Sequence, residues 1–229
     1  MVFSVIIPCY NMAQYVAETI ESVKKQTYTD WECIVVDDGS TDDSRKVIKE
    51  SVGEDSRFRL IHQKNKGVAA ARNTAISKAL GKYILPLDAD DMLRPDALYR
   101  FAVVWNNTPD ARLIVPAMYR YGEGVNGIRR YDYPGYERFR QGGSLANSSC
   151  YRREDWERIG GYRDGTMVED YEFYVRLLDD DAVVVCLDYV LIDYRVRRDS
   201  RWQHAKKRWK EELEIIREMN PDIYAGKRE

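Results

Sequence analysis

Cysteine and histidine are scarce: four cysteines (Cys9, Cys33, Cys150, Cys186) and two histidines (His62, His204) are scattered over 229 residues. That spacing predicts neither a zinc site nor a disulfide scaffold, and the cysteines, mostly in apolar runs, read as reduced core thiols. No apolar run reaches membrane-spanning length, and the best, 182–192, is broken by Asp188. No basic leader or small-residue cleavage site marks "VFSVIIPCY", so no signal peptide is expected. Neither sign of charge dominates: 36 Lys and Arg face 38 Asp and Glu, a formal charge of −2, so no basic field argues for nucleic acid. Internal repeats and low-complexity tracts are absent as well. With 44% hydrophobic and 32% charged residues, the chain is expected to be a cytoplasmic globular domain, either one α/β unit or two closely joined halves.

Strand and helix signals alternate over the first hundred residues. The apolar run 2–7 predicts a strand, followed by a helix capped at Asn11 with Val16, Ile20 and Val23 on one face. "WECIVV" (31–36) is a second strand, and "STDDSRKVIKES" a second helix with a capping box from Ser40 to Asp43. "RLIH" follows as a third strand, 68–80 as an alanine-rich helix closed by Gly81, "YILPL" as a fourth strand, and Pro95 opens another helix. This order predicts a mostly parallel sheet with right-handed crossovers, whose ligands lie beyond the carboxyl ends of its strands. The second half is less regular. "ARLIVPAMYRY" reads as a strand, 122–143 as loop, "REDWERIGGY" and "VEDYEFYVRLLDDD" as helices, "AVVVCL" and "YVLIDYRV" as two strands, and 202–219 as a terminal helix.

The fourth strand runs into "ILPLDADDML", where Asp88, Asp90 and Asp91 crowd together. Like charges repel, and desolvation makes that worse, so something has to compensate. An EF-hand fails because its sixth and twelfth positions from Asp88 are Leu93 and Tyr99. A haloacid-type phosphatase fits poorly, with Met92 where Thr or Val is wanted, and "PCYNMA" excludes a GxGxxG or P-loop because it has no glycine. A divalent cation carrying a diphosphate fits better, since Mg²⁺ and Mn²⁺ take oxygen ligands and often only one or two carboxylates. In an extended segment Asp88 and Asp90 share a side while Asp91 turns away, as a cap for the next helix. Solvated turn acids remain the competing explanation.

The segments "SVIIPCYN" (4–11), "VVDDGSTDDS" (35–44), "NKGVAAARNTAI" (65–76), "LPLDADD" (85–91), "IGGY" (159–162) and "VEDYEFYVRL" (168–177) occur in an order that resembles the family-2 glycosyltransferases. That resemblance implies the GT-A fold: a Rossmann-like, mostly parallel sheet flanked by helices, with a smaller mixed region on the acceptor side. Residues 1–100 would form the nucleotide-sugar half, 101–200 the acceptor and catalytic half of the same domain, and 201–229 a basic amphipathic helix. It also implies an inverting transfer from a nucleotide-diphosphate sugar, UDP-sugar favoured, to a carbohydrate or lipid-linked acceptor, with Mn²⁺ or Mg²⁺ as cofactor.

Residue by residue, the resemblance puts Pro8, Tyr10, Asp38, Gly67, Arg72, Asp88 and Ala89 at the donor, with Asn73 beside them. Tyr10 would stack on the base and Asp38 would accept its imino N–H, while Asp42 and Asp43 cap their helix. Asp90, with Asp88, would hold the metal. Asp170 would be the base, and Glu169, about 100° away around the helix, would orient substrate hydroxyls. Many relatives carry His where this chain has Arg197, which cannot ligate a cation but can neutralise diphosphate. Eight cations crowd 195–210, with Trp202, Trp209, Leu213 and Ile216 at helical spacing. A peripheral contact of 195–219 with the inner membrane face, packing on the domain and a homodimer all stay open. The competing functions are a sugar nucleotidyltransferase and a non-catalytic nucleotide-sugar-binding module.

Overall fold

The computed structural model describes residues 1–225; the last four residues of the expected C-terminal helix lie outside the described residues. Its elements are β1 (Phe3–Cys9), α1 (Val16–Lys24), β2 (Trp31–Asp37), α2 (Ser44–Val52), β3 (Phe58–His62), α3 (Val68–Ile76), β4 (Tyr83–Pro86), β5 (Met92–Leu93) and α4 (Ala97–Asn107). They continue with β6 (Ala111–Gly122), β7 (Val125–Arg129), α5 (Tyr136–Phe139), β8 (Cys150–Arg152), α6 (Arg153–Arg158), α7 (Glu169–Leu177), β9 (Val183–Val196), α8 (Arg201–Lys207), α9 (Trp209–Met219) and α10 (Pro221–Tyr224).

Every residue of β1 and β2 is buried, because a strand with helices on both faces has no polar side to show. These strands sit in a parallel block ordered β3-β2-β1-β4, and the sheet continues through β8, β6 and β9 to β5, with the β7 hairpin off β6. Pairing is parallel for β1 with β2 and β4, for β2 with β3 and for β6 with β9, and antiparallel elsewhere. The expected GT-A architecture, a parallel nucleotide-type half joined to a smaller mixed region, is therefore present. β5 leaves the first half to pair with β9, which carries the acids after β4 toward the second half.

The local differences have physical causes. Asn11 caps no helix: it sits at φ 54° and α1 starts at Val16. Ser40 and Asp43 form no capping box; Asp42 takes the Ser44 amide instead. Helix α3 ends at Ile76, four residues short of Leu80. The 122–143 stretch holds strand β7 and the short helix α5. The two late strands are one, β9, because register shifts against β6 let it run past Asp188 without a break. The terminal helix breaks at Arg208, with φ −114°.

Gly81 marks the tightest point under the parallel block. A Cβ there would lie 2.6 Å from the Phe3 carbonyl carbon, the Ser4 amide and Ser4 Oγ. Its own amide donates to Ser4 Oγ, which in turn donates to the buried Glu32. Backbone of a central strand cannot yield, so Gly81→Ala is expected to cost about 1–3 kcal/mol. Thermal denaturation that leaves the midpoint unchanged would contradict this packing.

Candidate active site

The carboxyl ends of β1, β2 and β3 are laced together by short polar side chains. The Asn11 amide donates to Ser40 Oγ, Met12 N to Ser44 Oγ and Ala13 N to Asp42 Oδ2, while Asn11 Oδ1 accepts from Thr41 N. Asp37 is fully buried and takes His62 Nδ1 at 2.8 Å and the Ser40 amide. Asp38 is buried too, accepting from Gln63 Nε2 (2.7 Å), Lys66 N (3.0 Å) and Gly67 N (2.9 Å). Gly67 holds φ 86° at the start of α3, a left-handed conformation that brings its amide back to Asp38 and that a side chain would strain. Pro8 sits within β1 opposite Val36, and the Tyr10 ring stands 43% exposed just beyond the strand. The donor-side residues named from the sequence thus surround the end of the parallel block.

At the β4 end each acid has a different solution to the repulsion. Asp88 Oδ1 meets Arg72 Nη2 at 2.9 Å and its Oδ2 accepts from Asn147 Nδ2 at 2.8 Å. Asp90 Oδ2 meets Arg197 Nε at 2.8 Å, yet burial and Asp88 still raise the Asp90 pKa. Ala89 between them is buried. Asp91 does not cap the next helix, which starts at Ala97. It is fully buried, with Oδ1 on the Arg195 amide and Oδ2 without a hydrogen-bond partner among the described residues, and burial beside two carboxylates pushes its pKa well above the ordinary range.

Arg72 ties this acidic end to the second half. It is 3% exposed, and its other arm meets Glu169 Oε1, while Glu169 Oε2 forms an ion pair with Arg201 Nη1 at 3.0 Å. Both Glu169 oxygens are therefore held by arginines. Asp170 follows on α7 and faces a cleft lined by Ser144, Leu145, Tyr174, Trp202 and Trp209, so the adjacent carboxylates diverge as helical geometry requires. Burial first, then the Glu169 charge, lifts the Asp170 pKa to about 6, against the pull of Arg72 and the Tyr171 amide. Asn73 is a clamp: its Nδ2 donates to the Tyr162 carbonyl and its Oδ1 accepts Trp156 Nε1 and the Tyr162 amide.

The C-terminal helices bolt the α7 segment in place. Glu212, almost fully buried, accepts from Thr166 Oγ1 and the Met167 amide, and Asn220 donates to Glu172. The apolar stripe expected for 202–219 packs inward: Leu213 and Ile216 are buried, and Trp209 stacks edge-on to Tyr171 with ring centroids 5.4 Å apart. No helix among the described residues is long and apolar enough to cross a membrane. Asn147, Arg201 and Tyr15, which lies under the Arg197 guanidinium, carried no signal as site residues, because isolated Asn, Arg and Tyr in loops and helices look like surface.

The sequence model of the family described as Glycosyl transferase family 2 matches residues 4–163. Among curated proteins, chondroitin synthase of Escherichia coli is 46% identical over 95 residues, a stretch that is 42% of this chain and 14% of that protein. Glycosyltransferase GlyG of Streptococcus pneumoniae is 40% identical over 124 residues, 52% of this chain and 40% of that one. The chain thus spans well under half the length of these relatives. Among solved structures, S. aureus TarS 1–349 in complex with UDP-GlcNAc superposes with a TM-score of 0.75 at 22% identity, covering 89% of this chain and 61% of that one. The mannosyltransferase PcManGT from Pyrobaculum calidifontis, in complex with GDP-Man and Mn²⁺, gives a TM-score of 0.69 at 18% identity over 98% of this chain and 68% of that one. At such identities the likeness to solved structures concerns the fold.

Proposed function

The chain belongs to glycosyl transferase family 2, and from that premise we propose that it moves a sugar from a nucleoside-diphosphate donor, UDP-sugar favoured, to an acceptor hydroxyl with inversion, in polysaccharide or glycoconjugate synthesis. The observation that carries this reading is the chain of ion pairs Asp88–Arg72–Glu169, which draws the β4 end, α3 and α7 into one site with Asp170 beside it. A module that only binds a nucleotide sugar has no use for a second-half carboxylate with a pKa raised to about 6 next to the first-half acids.

In this mechanism Asp170 takes the proton of the acceptor hydroxyl as that oxygen attacks the anomeric carbon. Its raised pKa suits the task, because a base poised near neutrality is both ionised and basic enough to act. Ser144, Leu145, Trp202 and Trp209 line the cleft beside Asp170, on the side from which the acceptor would approach, and Glu169 keeps Arg72 and Arg201 in place beside it. On the donor side Tyr10 and Asp38 receive the base, with Pro8, Gly67 and Ala89 shaping the floor, while Arg197 faces the diphosphate and Arg72 holds Asp88 beside it.

The acids present fit a divalent cation in one respect. Asp90 has a single arginine on its Oδ2, whereas both Asp88 oxygens are engaged by Arg72 and Asn147, so Asp90 is the principal protein ligand and substrate oxygens complete the set. Among the described residues no group of three or more His, Cys, Asp and Glu side chains gathers as a metal site. When bound, Mn²⁺ or Mg²⁺ would offset charge on the departing nucleoside diphosphate. This reading keeps the enzyme in the cytoplasm, where its cysteines stay unpaired, with exposed Lys206, Lys207 and Lys210 turned to any anionic membrane surface.

A thermal-shift panel of UDP- and GDP-sugars with Mn²⁺ tests the proposal. At least one donor is expected to raise the midpoint and to be slowly hydrolysed. Stabilisation by none of them would remove it.

A further inference from the structure

Arg72 and Arg197 each neutralise one acid of the β4 end, but they are held very differently. Arg72 is gripped by Asp88 and Glu169 together, with the Tyr162 ring 5.4 Å from its guanidinium. Arg197 lies one residue past β9, and it contacts Asp90 at 2.8 Å, the 78%-exposed Asp199 at 3.5 Å and the face of Tyr15 at 5.3 Å. Releasing Arg72 takes a counter-charge from two carboxylates at once and leaves Glu169 only the half-exposed Arg201. Releasing Arg197 strands only Asp90, whose charge another cation can satisfy.

From this asymmetry we infer that Arg197 is a latch on Asp90, which keeps a divalent cation off the free protein and yields when the cation arrives with a nucleoside diphosphate. The inference rests on the donor-site reading above. Its physical basis is an exchange of partners. A bare cation offers charge to Asp90 but leaves the Arg197 guanidinium with only exposed Asp199 as an acceptor. A diphosphate supplies oxygens that a planar guanidinium matches in a fork, so both released groups find new partners. The neighbouring Arg195 does not replace Arg197 in the latch. Arg195 donates from Nε to the Asp90 carbonyl, and its Nη2 is held by Glu18 at 2.6 Å. Asp88, the other acid expected to hold the metal, already has Arg72 on Oδ1 and Asn147 on Oδ2. Cation and nucleotide therefore bind with positive coupling, and linkage makes that coupling the same from either side.

The test is Mn²⁺ binding followed by electron paramagnetic resonance of the free ion, for the unsubstituted chain and for Arg197→Gln, Arg197→Lys and Asp90→Asn. Each is titrated alone, then with UDP, then with GDP. Without nucleotide, Arg197→Gln is expected to bind Mn²⁺ at least about ten-fold more tightly than the unsubstituted chain, Arg197→Lys to fall between them, and Asp90→Asn to bind none. The better-matched nucleotide is expected to tighten Mn²⁺ on the unsubstituted chain by about 5–150-fold and on Arg197→Gln by less. Equal Mn²⁺ affinity of the unsubstituted chain and both Arg197 variants in the absence of nucleotide overturns the latch, even where UDP binds and the donor reading stands. Failure of the unsubstituted chain to bind either nucleotide, with Mn²⁺ present, overturns both.

Discussion

Asp170→Asn is expected to lower turnover by about 10²–10⁴-fold while leaving donor binding intact, because it removes the base but not the groups at the β1, β2 and β4 ends. The change is nearly isosteric, and Asp170 makes no side-chain ion pair among the described residues, so folding is not at risk. The same residue predicts the pH dependence. Its pKa of about 6 is raised by burial and by Glu169, and the base works only when ionised. Turnover in the unsubstituted chain should therefore fall below about pH 6, and the residual rate of the variant should lose that limb. Stability moves the opposite way. A carboxyl whose folded pKa is raised holds its proton more tightly folded than unfolded, so it favours the fold below about pH 4 and loses that contribution as pH rises through about 6. At pH 7 Asp170→Asn should accordingly melt above the unsubstituted chain. Full turnover in the variant at pH 7 would remove Asp170 from the mechanism.

The second large effect belongs to Arg72. Removing one partner of a buried ion pair leaves uncompensated charge and typically costs about 3–5 kcal/mol. For a chain of this size that corresponds to a midpoint roughly 6–20 °C lower. Arg72→Met is expected to show this loss in thermal denaturation and to be inactive besides, since Asp88 and Glu169 would repel across the gap. Adding Glu169→Gln to Arg72→Met should recover part of the midpoint by removing one of the two carboxylates that lost Arg72, offset by loss of the Arg201 ion pair, without restoring activity. Arg72→Lys should recover less than a charge count suggests, because an ammonium cannot fork between two acids. A midpoint within about a degree of the original for Arg72→Met would mean that the buried ion pairs contribute little.

Both effects depend on contacts that sequence reading reached only in part. The alternation of strand and helix through residue 107 was legible, because apolar runs such as "VII" and "CIVV" have no polar face and must lie inside a sheet covered on both sides. Asp38, Gly67, Arg72, Asp88 and Asp170 could be singled out from their motifs, and Arg197 from its departure. The sequence was less informative where local preference and tertiary demand diverge. Asn11 looks like a helix cap, but the loop it brackets across to Thr41 holds it at positive φ. Asp91 looks like a turn acid, yet the pairing of β5 with β9 buries it beneath the Arg195 amide. Asp188 looks like the end of a strand, and only the partner strand β6, through its register shifts, carries β9 past it.

By itself the sequence determined the fold class and the identity of the acids, since apolar periodicity sets which elements form and carboxylates at a strand end demand a counter-charge wherever they fall. Which counter-charge answers which acid was decided by the tertiary structure alone. Arg72 reaches Asp88 and Glu169 over separations of 16 and 97 residues, and Arg197 reaches Asp90 over 107. Electrostatic pairing at such separations depends on how β4, β9, α3 and α7 pack, and no local pattern in the chain encodes that packing.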